Sequence, residues 1–280
     1  MTGRLVLVST PIGNLGDLPP RAVETLRACA LICCEDTRHT GKLLSHAGVA
    51  GVRLAVANEH TEAVRTEDVL GVLAGGRDVA VVTDAGTPGI SDPGARLVQA
   101  AIAAGYPVTA VPGPAALVMA LVLSGFDTTR FVFEGFLPRS GRDRAERLAE
   151  VAAERRTVVL YEAPHRVART ITDLGAACGG DRRVAMAREL TKVYEEVWRG
   201  TLGAAAVHLG EQPPRGEYVL VLEGAPAEGP VDDEAILAAL RMALEGGADR
   251  RSAIATVMAA TGAAKRRVYD LALTLPRPGS

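Results

Sequence analysis

Four short apolar runs, each followed at once by a polar or Gly/Pro-rich loop, constrain the fold of this chain more than any other feature. The runs are Leu5–Val8, Leu31–Cys34, residues 79–82 and Val108–Val111. Uninterrupted apolar runs of this length are typical of strands buried in a parallel sheet. Segments with helical patterns lie between them, so the repeat predicts an α/β fold whose loops meet along one edge of the sheet.

The loop after the third run contains the densest group of turn-forming and polar residues. Residues 83–94 read Thr-Asp-Ala-Gly-Thr-Pro-Gly-Ile-Ser-Asp-Pro-Gly. Glycines let a backbone approach a ligand closely, and prolines fix a loop before the ligand arrives. Ordinary surface turns use the same residues, so a plain turn remains the alternative for this loop taken alone.

The length of 280 residues exceeds one typical domain. We predict a parallel α/β domain over residues 1–111 and a second α/β domain over 112–224, with strands near 131–133, 157–161, 183–187, 194–199 and 217–223. After a linker that contains Pro and Gly, residues 232–275 are predicted to form a helical tail. Its last two helices resemble a helix-turn-helix motif, and a plain three-helix cap is an equal alternative.

The net charge of −2 means that a nucleic-acid partner needs local basic surface. Two clusters offer it, one after residue 138 and one in the tail. A solvated helix face is the alternative for either cluster. The candidate RNA contacts are Arg139, Arg142, Lys265, Arg266 and Arg267.

Several classes of protein find no support in the sequence. The four cysteines form no CxxC pair, so no metal site is expected. Gly13 and Gly16 do not have dinucleotide-fingerprint spacing, and a phosphate-binding Gly-Lys-Ser/Thr loop is absent. No secretory signal is recognisable, and no apolar run reaches the roughly 18 residues that span a bilayer. We therefore expect a cytoplasmic protein with no membrane partner.

Seven motifs, in this order, resemble the tetrapyrrole-methylase superfamily of S-adenosylmethionine (SAM) enzymes. Within it they resemble the branch that 2′-O-methylates a cytidine in 16S ribosomal RNA. The motifs are residues 9–15 (STPIGNL), 35–41 (EDTRHTG), 84–88 (DAGTP), 112–114 (PGP), 133–138 (FEGFLP), 161–166 (YEAPHR) and 187–192 (ARELTK).

The resemblance implies a SAM site in the cleft between the two α/β domains, and a homodimer. It also implies that the substrate is 16S rRNA in the 30S subunit, with cytidine 1402 of the decoding region as the target. The implied SAM contacts are Pro11, Ile12, Asp84, Ala85, Gly86, Thr87, Ile90, Ala115, Ala116, Glu162 and Leu190.

A ribose 2′-hydroxyl is a poor nucleophile near neutral pH, so a positioned base helps its attack. The candidate catalytic residues are Glu35, Asp36, Arg38, Glu59, His60 and Glu189. His60 titrates naturally near pH 7, with a structural hydrogen-bonding role as its alternative. Residues 58–62 read Asn-Glu-His-Thr-Glu, where the family usually has a run like His-Glu-His-Asn-Glu. Mechanisms that need the first His or the Asn are therefore in doubt.

Two other functions stay open. One is C-methylation of a corrin precursor by an enzyme of the same superfamily. The residues Glu35, Asp36 and Arg38 and the basic tail argue against it. The other is a non-catalytic ribosome-assembly protein that retains a SAM pocket.

Overall fold

The computed structural model describes residues 2–57, 61–226 and 232–275. The chain divides into two compact units, Met1–Ala225 and Pro226–Ser280. The first unit contains two five-stranded sheets, and the second contains three helices. The boundary near residue 111 stays a prediction, because both sheets lie within the first unit.

The first sheet has only parallel neighbours, in the order β3-β2-β4-β1-β5. Its strands are β1 (Leu5–Val8), β2 (Leu31–Cys34), β3 (Arg53–Val56), β4 (Val79–Val81) and β5 (Val108–Val111). The helices around it are α1 (Pro20–Ala28), α2 (Thr37–His46), α3 (Glu62–Ala74) and α4 (Ala95–Ala103). This confirms the α/β fold class.

Alternate residues of the central strands face two different cores. Leu31 and Cys33 of β2 pack with residues of α3 and α4, whereas Ile32 and Cys34 pack with residues of α1 and α2. All four side chains are buried. The absence of polar alternation in these runs therefore reflects a sheet covered by helices on both faces.

The second sheet is mixed, in the order β6-β7-β10-β8-β9. β6 and β7 pair in parallel, and the other pairs are antiparallel. Its strands are β6 (Phe131–Phe136), β7 (Thr157–Glu162), β8 (Arg183–Arg188), β9 (Glu196–Thr201) and β10 (Tyr218–Leu222). The helices of this part are α5 (Ala116–Ser124), α6 (Gly141–Ala153), α7 (Pro164–Cys178) and α8 (Leu202–Glu211).

One face of the second sheet packs against α6, α7 and α8, and the other packs against α5. Ile12, from the loop after β1, belongs to the same apolar cluster as Val159 and Val219 of the second sheet. The first loop of the parallel sheet is therefore packed against the face of the second sheet that carries α5.

The structure differs from the sequence prediction at three elements. Helices α2 and α8 were not predicted; each contains glycine, a poor helix former. The strand predicted at 194–199 begins only at Glu196. Residues 189–195 turn instead, since the N–H of Lys192 donates to the carbonyl of Glu189 and the N–H of Glu195 donates to the carbonyl of Lys192.

The second unit consists of α9 (Asp233–Glu245), α10 (Arg250–Thr261) and α11 (Lys265–Leu273) around a small apolar core. Asp232 and Asp249 cap α9 and α10 by accepting backbone N–H bonds of 2.7 and 2.8 Å. The three predicted tail helices are thus confirmed.

In the part of the chain that the structure describes, no helix combines the length and the apolarity needed to cross a membrane.

Candidate functional site

The first unit contains a cavity of about 620 Å³ where loops of the first sheet face the second sheet. One side is formed by the loops after β1, β2 and β4, and the other by the start of α5, the ends of β7 and β8, and the start of β10. This volume lies within the range of about 300–1,000 Å³ that holds small molecules and cofactors.

Ten of the eleven residues predicted to contact SAM line this cavity; the exception, Pro11, is buried in the chain immediately before Ile12. The ten come from separate segments of the sequence, and the fold brings them to one place. They are Ile12, Asp84, Ala85, Gly86, Thr87, Ile90, Ala115, Ala116, Glu162 and Leu190.

The loop after β4 is held against the loop after β1 by a pair of backbone hydrogen bonds. The N–H of Thr10 donates to the carbonyl of Gly86 at 2.9 Å, and the N–H of Gly86 donates to the carbonyl of Thr10 at 3.1 Å. Gly86 has φ +88°, a backbone conformation that residues with a side chain rarely adopt. Its Cβ position would lie 3.5 Å from Cγ2 of Ile12, so glycine keeps both the turn and the cavity open.

Backbone strain is concentrated beside the cavity. Among the described residues, three other than glycine have positive φ: Ser91, Glu189 and Thr191, at 57°, 51° and 67°. Ser91 lines the cavity, and the other two flank Leu190, which also lines it. Left-handed backbone at such residues costs free energy and persists where the surrounding structure enforces it, often at functional sites.

Acidic side chains occupy part of the cavity wall. Glu35, Asp84, Asp92 and Glu217 all line it. Burial raises the pKa of Asp92 to about 6, and the negative charges of Glu35, Asp84 and Glu217 add to the rise, against a hydrogen bond with Thr83. Asp92 and Glu217 were not among the site residues predicted from the sequence; the position of Asp92 in the glycine-rich loop 83–94 was the available signal.

The opposite wall carries an aromatic cluster. The ring of Tyr161 lies 4.9 Å from that of Phe133 and 5.7 Å from that of Phe136, measured between centroids. The N–H of Leu117 donates to the Tyr161 hydroxyl at 3.3 Å, so the start of α5 is tied to β7. Burial raises the pKa of Tyr161, which keeps the phenol neutral.

Of the predicted catalytic residues with described structure, only Glu35 lines the cavity. Asp36 caps α2 by accepting the N–H of Arg38 at 2.8 Å, and it also pairs with the Arg38 guanidinium at 2.7 Å. These hydrogen bonds hold the pKa of Asp36 well below its usual range. Glu59 and His60 lie outside the described residues.

Glu189 is part of an ion-pair network next to the cavity. Nζ of Lys192 lies 2.7 Å from Glu189 and 2.8 Å from Glu217. Burial by itself would raise the pKa of Glu189, but the hydrogen bonds from Lys192 and the N–H of Glu217, with nearby positive charge, lower it overall. Glu189 is therefore a weak base whose carboxylate already has partners.

The predicted RNA contacts differ in how far their charges are already paired. Arg142 lies 2.6 Å from Glu146, and Arg267 lies 2.7 Å from Asp233. Arg266 is 4.0 Å from Asp270. Arg139 and Lys265 have neither an ion pair nor a hydrogen bond within the described segments.

In residues 2–57, 61–226 and 232–275, no three His, Cys, Asp or Glu residues are grouped so as to hold a metal ion.

The comparisons with known proteins agree with this architecture. Residues 4–206 match the family described as Tetrapyrrole (Corrin/Porphyrin) Methylases. Among solved structures, the methyltransferase CobJ superposes with a TM-score of 0.60 at 20% identity, covering 80% of this chain and 95% of CobJ. Uroporphyrin-III-C-methyltransferase from Thermus thermophilus superposes with a TM-score of 0.54 at 23% identity, covering 79% and 94%. At these identities the structures establish the fold alone.

Two curated relatives are much more similar in sequence, and both are named ribosomal RNA small subunit methyltransferase I. The protein from Synechocystis sp. is 46% identical over 279 residues, covering 99% of this chain and all of the relative. The protein from Escherichia coli O157:H7 is 41% identical over 276 residues, covering 97% and 95%. The chain therefore belongs to the tetrapyrrole methylase family, in the branch that contains these two proteins.

Proposed function

We propose that this protein is a methyltransferase that transfers the methyl group of SAM to the 2′-hydroxyl of a cytidine in 16S ribosomal RNA of the small subunit. The observation that carries the proposal is the 620 Å³ cavity, whose wall is built from the motif loops. Similarity over nearly the whole chain to relatives named ribosomal RNA small subunit methyltransferase I also supports the proposal.

The residues of the cavity fit SAM in shape and charge. Small side chains at Ala85, Ala115 and Ala116, with Gly86, leave room for the adenosyl group. The acidic side chain of Asp84 suits a ligand that carries a sulfonium and an ammonium group. When bound, SAM supplies an electrophilic methyl group. The protein contributes alignment of the nucleophile and removal of its proton.

Asp92 is our first candidate for the group that takes the proton from the 2′-hydroxyl. It lines the cavity, and its pKa of about 6 leaves it ionised yet moderately basic at neutral pH. Glu35 lines the same cavity and is the second candidate. Glu59 and His60 follow β3 in sequence and keep their predicted catalytic roles. Asp36, Arg38 and Glu189 also stay candidates, as charged groups that support the reaction electrostatically.

We propose that Arg139, Arg142, Lys265, Arg266 and Arg267 contact RNA and that the protein is a cytoplasmic homodimer. An apolar surface on α5 supports the dimer: Val118, Met119 and Val122 are 45%, 44% and 61% exposed. Their spacing places them on one side of the helix, and exposed apolar patches of this kind mark interaction sites.

The test is to incubate the protein with SAM labelled in the methyl group and with 30S subunits, naked 16S rRNA or a corrinoid precursor. We expect label in a cytidine ribose of the 16S rRNA, and none in the corrinoid. Label in the corrinoid would replace the proposal with C-methylation. Measurable SAM binding with no label in any substrate would favour a non-catalytic assembly protein.

A further inference from the structure

A second cavity, of about 380 Å³, lies beside α7 and carries a strong excess of positive charge. We call it the basic pocket; it is lined by Arg139, Arg144, His165, Arg166, Arg169 and Thr170. Within the described residues, two carboxylates pair with three of its four guanidinium groups: Asp173 with Arg144 and Arg169, and Glu162 with Arg166. Four positive charges against two negative ones leave the pocket suited to an anion.

Two of the arginines build the pocket and are already satisfied. Arg144 is buried, and it donates to the carbonyl of Pro138 at 2.8 Å and to Thr170 Oγ1 at 3.1 Å, besides pairing with Asp173. Arg166 donates to the carbonyl of Leu137 at 2.5 Å and lies 3.2 Å from Glu162. Their positions are therefore fixed without a ligand.

The other basic side chains of the pocket are available to a ligand. Arg139 and His165 are exposed and have no hydrogen-bond or ion-pair partner in the described parts of the chain. Arg169 is 62% exposed at its side chain and lies 3.6 Å from Asp173, a loose contact. Arg139 follows β6, whereas His165 and Arg169 belong to α7, so their convergence is a product of the tertiary fold.

One carboxylate separates the basic pocket from the 620 Å³ cavity. Glu162 lines that cavity, and its carboxylate contacts Arg166 at 3.2 Å and Thr170 at 2.6 Å, both of which line the basic pocket. A polynucleotide that presents a ribose to the first cavity has phosphates on both sides of that ribose. When such a ribose occupies the first cavity, a phosphate of the same RNA strand therefore lies near the basic pocket.

We infer that the basic pocket binds a backbone phosphate of the RNA strand next to the nucleotide that is methylated, with Arg139 and Arg169 as the main contacts. This inference rests on the proposed function. Guanidinium groups match phosphate oxygens with paired hydrogen bonds, which position the strand without reading its sequence. His165 adds a further donor at the N-terminal end of α7.

The experiment compares wild type, Arg139→Gln and Arg139→Gln/Arg169→Gln in binding to 30S subunits and naked 16S rRNA over a range of salt concentrations. Each lost phosphate contact should reduce the slope of log K against log salt by about one. We expect the double variant to lose at least about tenfold in RNA affinity at low salt. SAM affinity, measured by calorimetry, should be unchanged, because neither arginine lines the SAM cavity.

Arg155→Gln is the matched control, since Arg155 is exposed and lies outside the basic pocket. Variants that retain wild-type affinity and salt slope, while wild type binds and methylates RNA, would overturn the inference and leave the proposed function standing. If inorganic phosphate raises the melting temperature of wild type while the variants bind RNA as tightly as wild type does, the inference is also wrong. The basic pocket would then be a site for a free anion. A wild-type protein that neither binds nor methylates RNA would instead remove the proposed function.

Discussion

Oγ1 of Thr170 on α7 donates a hydrogen bond of 2.6 Å to the buried carboxylate of Glu162 at the end of β7. The same carboxylate accepts the N–H of Ala163 at 2.9 Å and lies 3.2 Å from Nε of Arg166. Burying a carboxylate is costly unless it has such partners, and α7 supplies them through Thr170 and Arg166. Glu162 lines the 620 Å³ cavity, and its carboxylate contacts Arg166 and Thr170, which line the basic pocket.

We predict that Thr170→Val destabilises the fold. The change keeps the shape of the side chain but removes a donor to Glu162 and the acceptor that receives Nη2 of Arg144. Loss of a hydrogen bond to a buried charge should lower the free energy of unfolding by roughly 1–3 kcal/mol. Urea unfolding measures it. Thr172→Val, at an exposed threonine of the same helix, should change stability by less than about 0.5 kcal/mol. Equal effects would contradict the role given to Glu162.

Gly86→Leu should abolish SAM binding. The leucine side chain would enter the cavity next to Ile12, and the positive φ of Gly86 would add strain of roughly 1–2 kcal/mol. Calorimetry measures SAM affinity, and circular dichroism reports whether the variant folds.

Gly105→Leu separates strain from blockage of the cavity. Gly105 has φ +78°, close to that of Gly86, but nothing lies within 4 Å of its Cβ position. We expect this control to lose similar stability and to keep SAM affinity. A folded Gly86→Leu protein with near-normal affinity would show that the loop after β4 is not part of the SAM site.

Asp92→Asn should lower kcat by roughly 10²–10⁴-fold and leave SAM affinity nearly unchanged. The base works only when ionised, and the raised pKa of Asp92 is about 6. The wild-type rate should therefore be constant above this pH and fall as pH drops through it, by about tenfold per unit further down. Single-turnover rates between pH 5 and 8 check this with methylation of 30S subunits as the readout.

His60→Ala tests the competing base. If His60 takes the proton, this variant loses roughly 10²–10⁴-fold in kcat with unchanged SAM affinity. A nearly unchanged rate removes the histidine and leaves the carboxylates. Loss of activity in His60→Ala, together with full activity in Asp92→Asn, would make His60 the base in place of Asp92.

Removal of the residues after 227 should leave SAM binding intact and impair RNA methylation. The first unit, Met1–Ala225, has its own cores, so it should fold without the tail. The tail carries Lys265 and Arg266, whose charges are unpaired or only loosely paired among the residues that the structure describes. In the full chain, Lys265→Gln/Arg266→Gln should weaken RNA binding in a salt-dependent way. Full activity of the truncated protein on 30S subunits would establish the tail as a plain helical cap.

Local sequence predicted most of the regular elements because burial on both faces demands unbroken apolar runs. Leu31–Cys34 is an example, with Leu31 and Cys33 facing one core and Ile32 and Cys34 the other. Helix α2 was not predicted; its two leucines, Leu43 and Leu44, lie near its C-terminal end, and the residues before them are polar or glycine. It starts where Asp36 caps it, a residue to which sequence analysis assigned a catalytic role.

The sequence by itself determined the α/β class and the motif loops, since strand patterns and turn residues act over a few neighbours. Its resemblance to the tetrapyrrole methylases implied most residues of the candidate SAM cavity. Only the tertiary structure decided which charges are free. It pairs Glu189 with Lys192 and Asp36 with Arg38, and it places Asp92 among other carboxylates. It also brings Arg139 beside Arg169. Electrostatic interactions act through space, so partners and pKa values follow from distance and burial after folding and not from position along the chain.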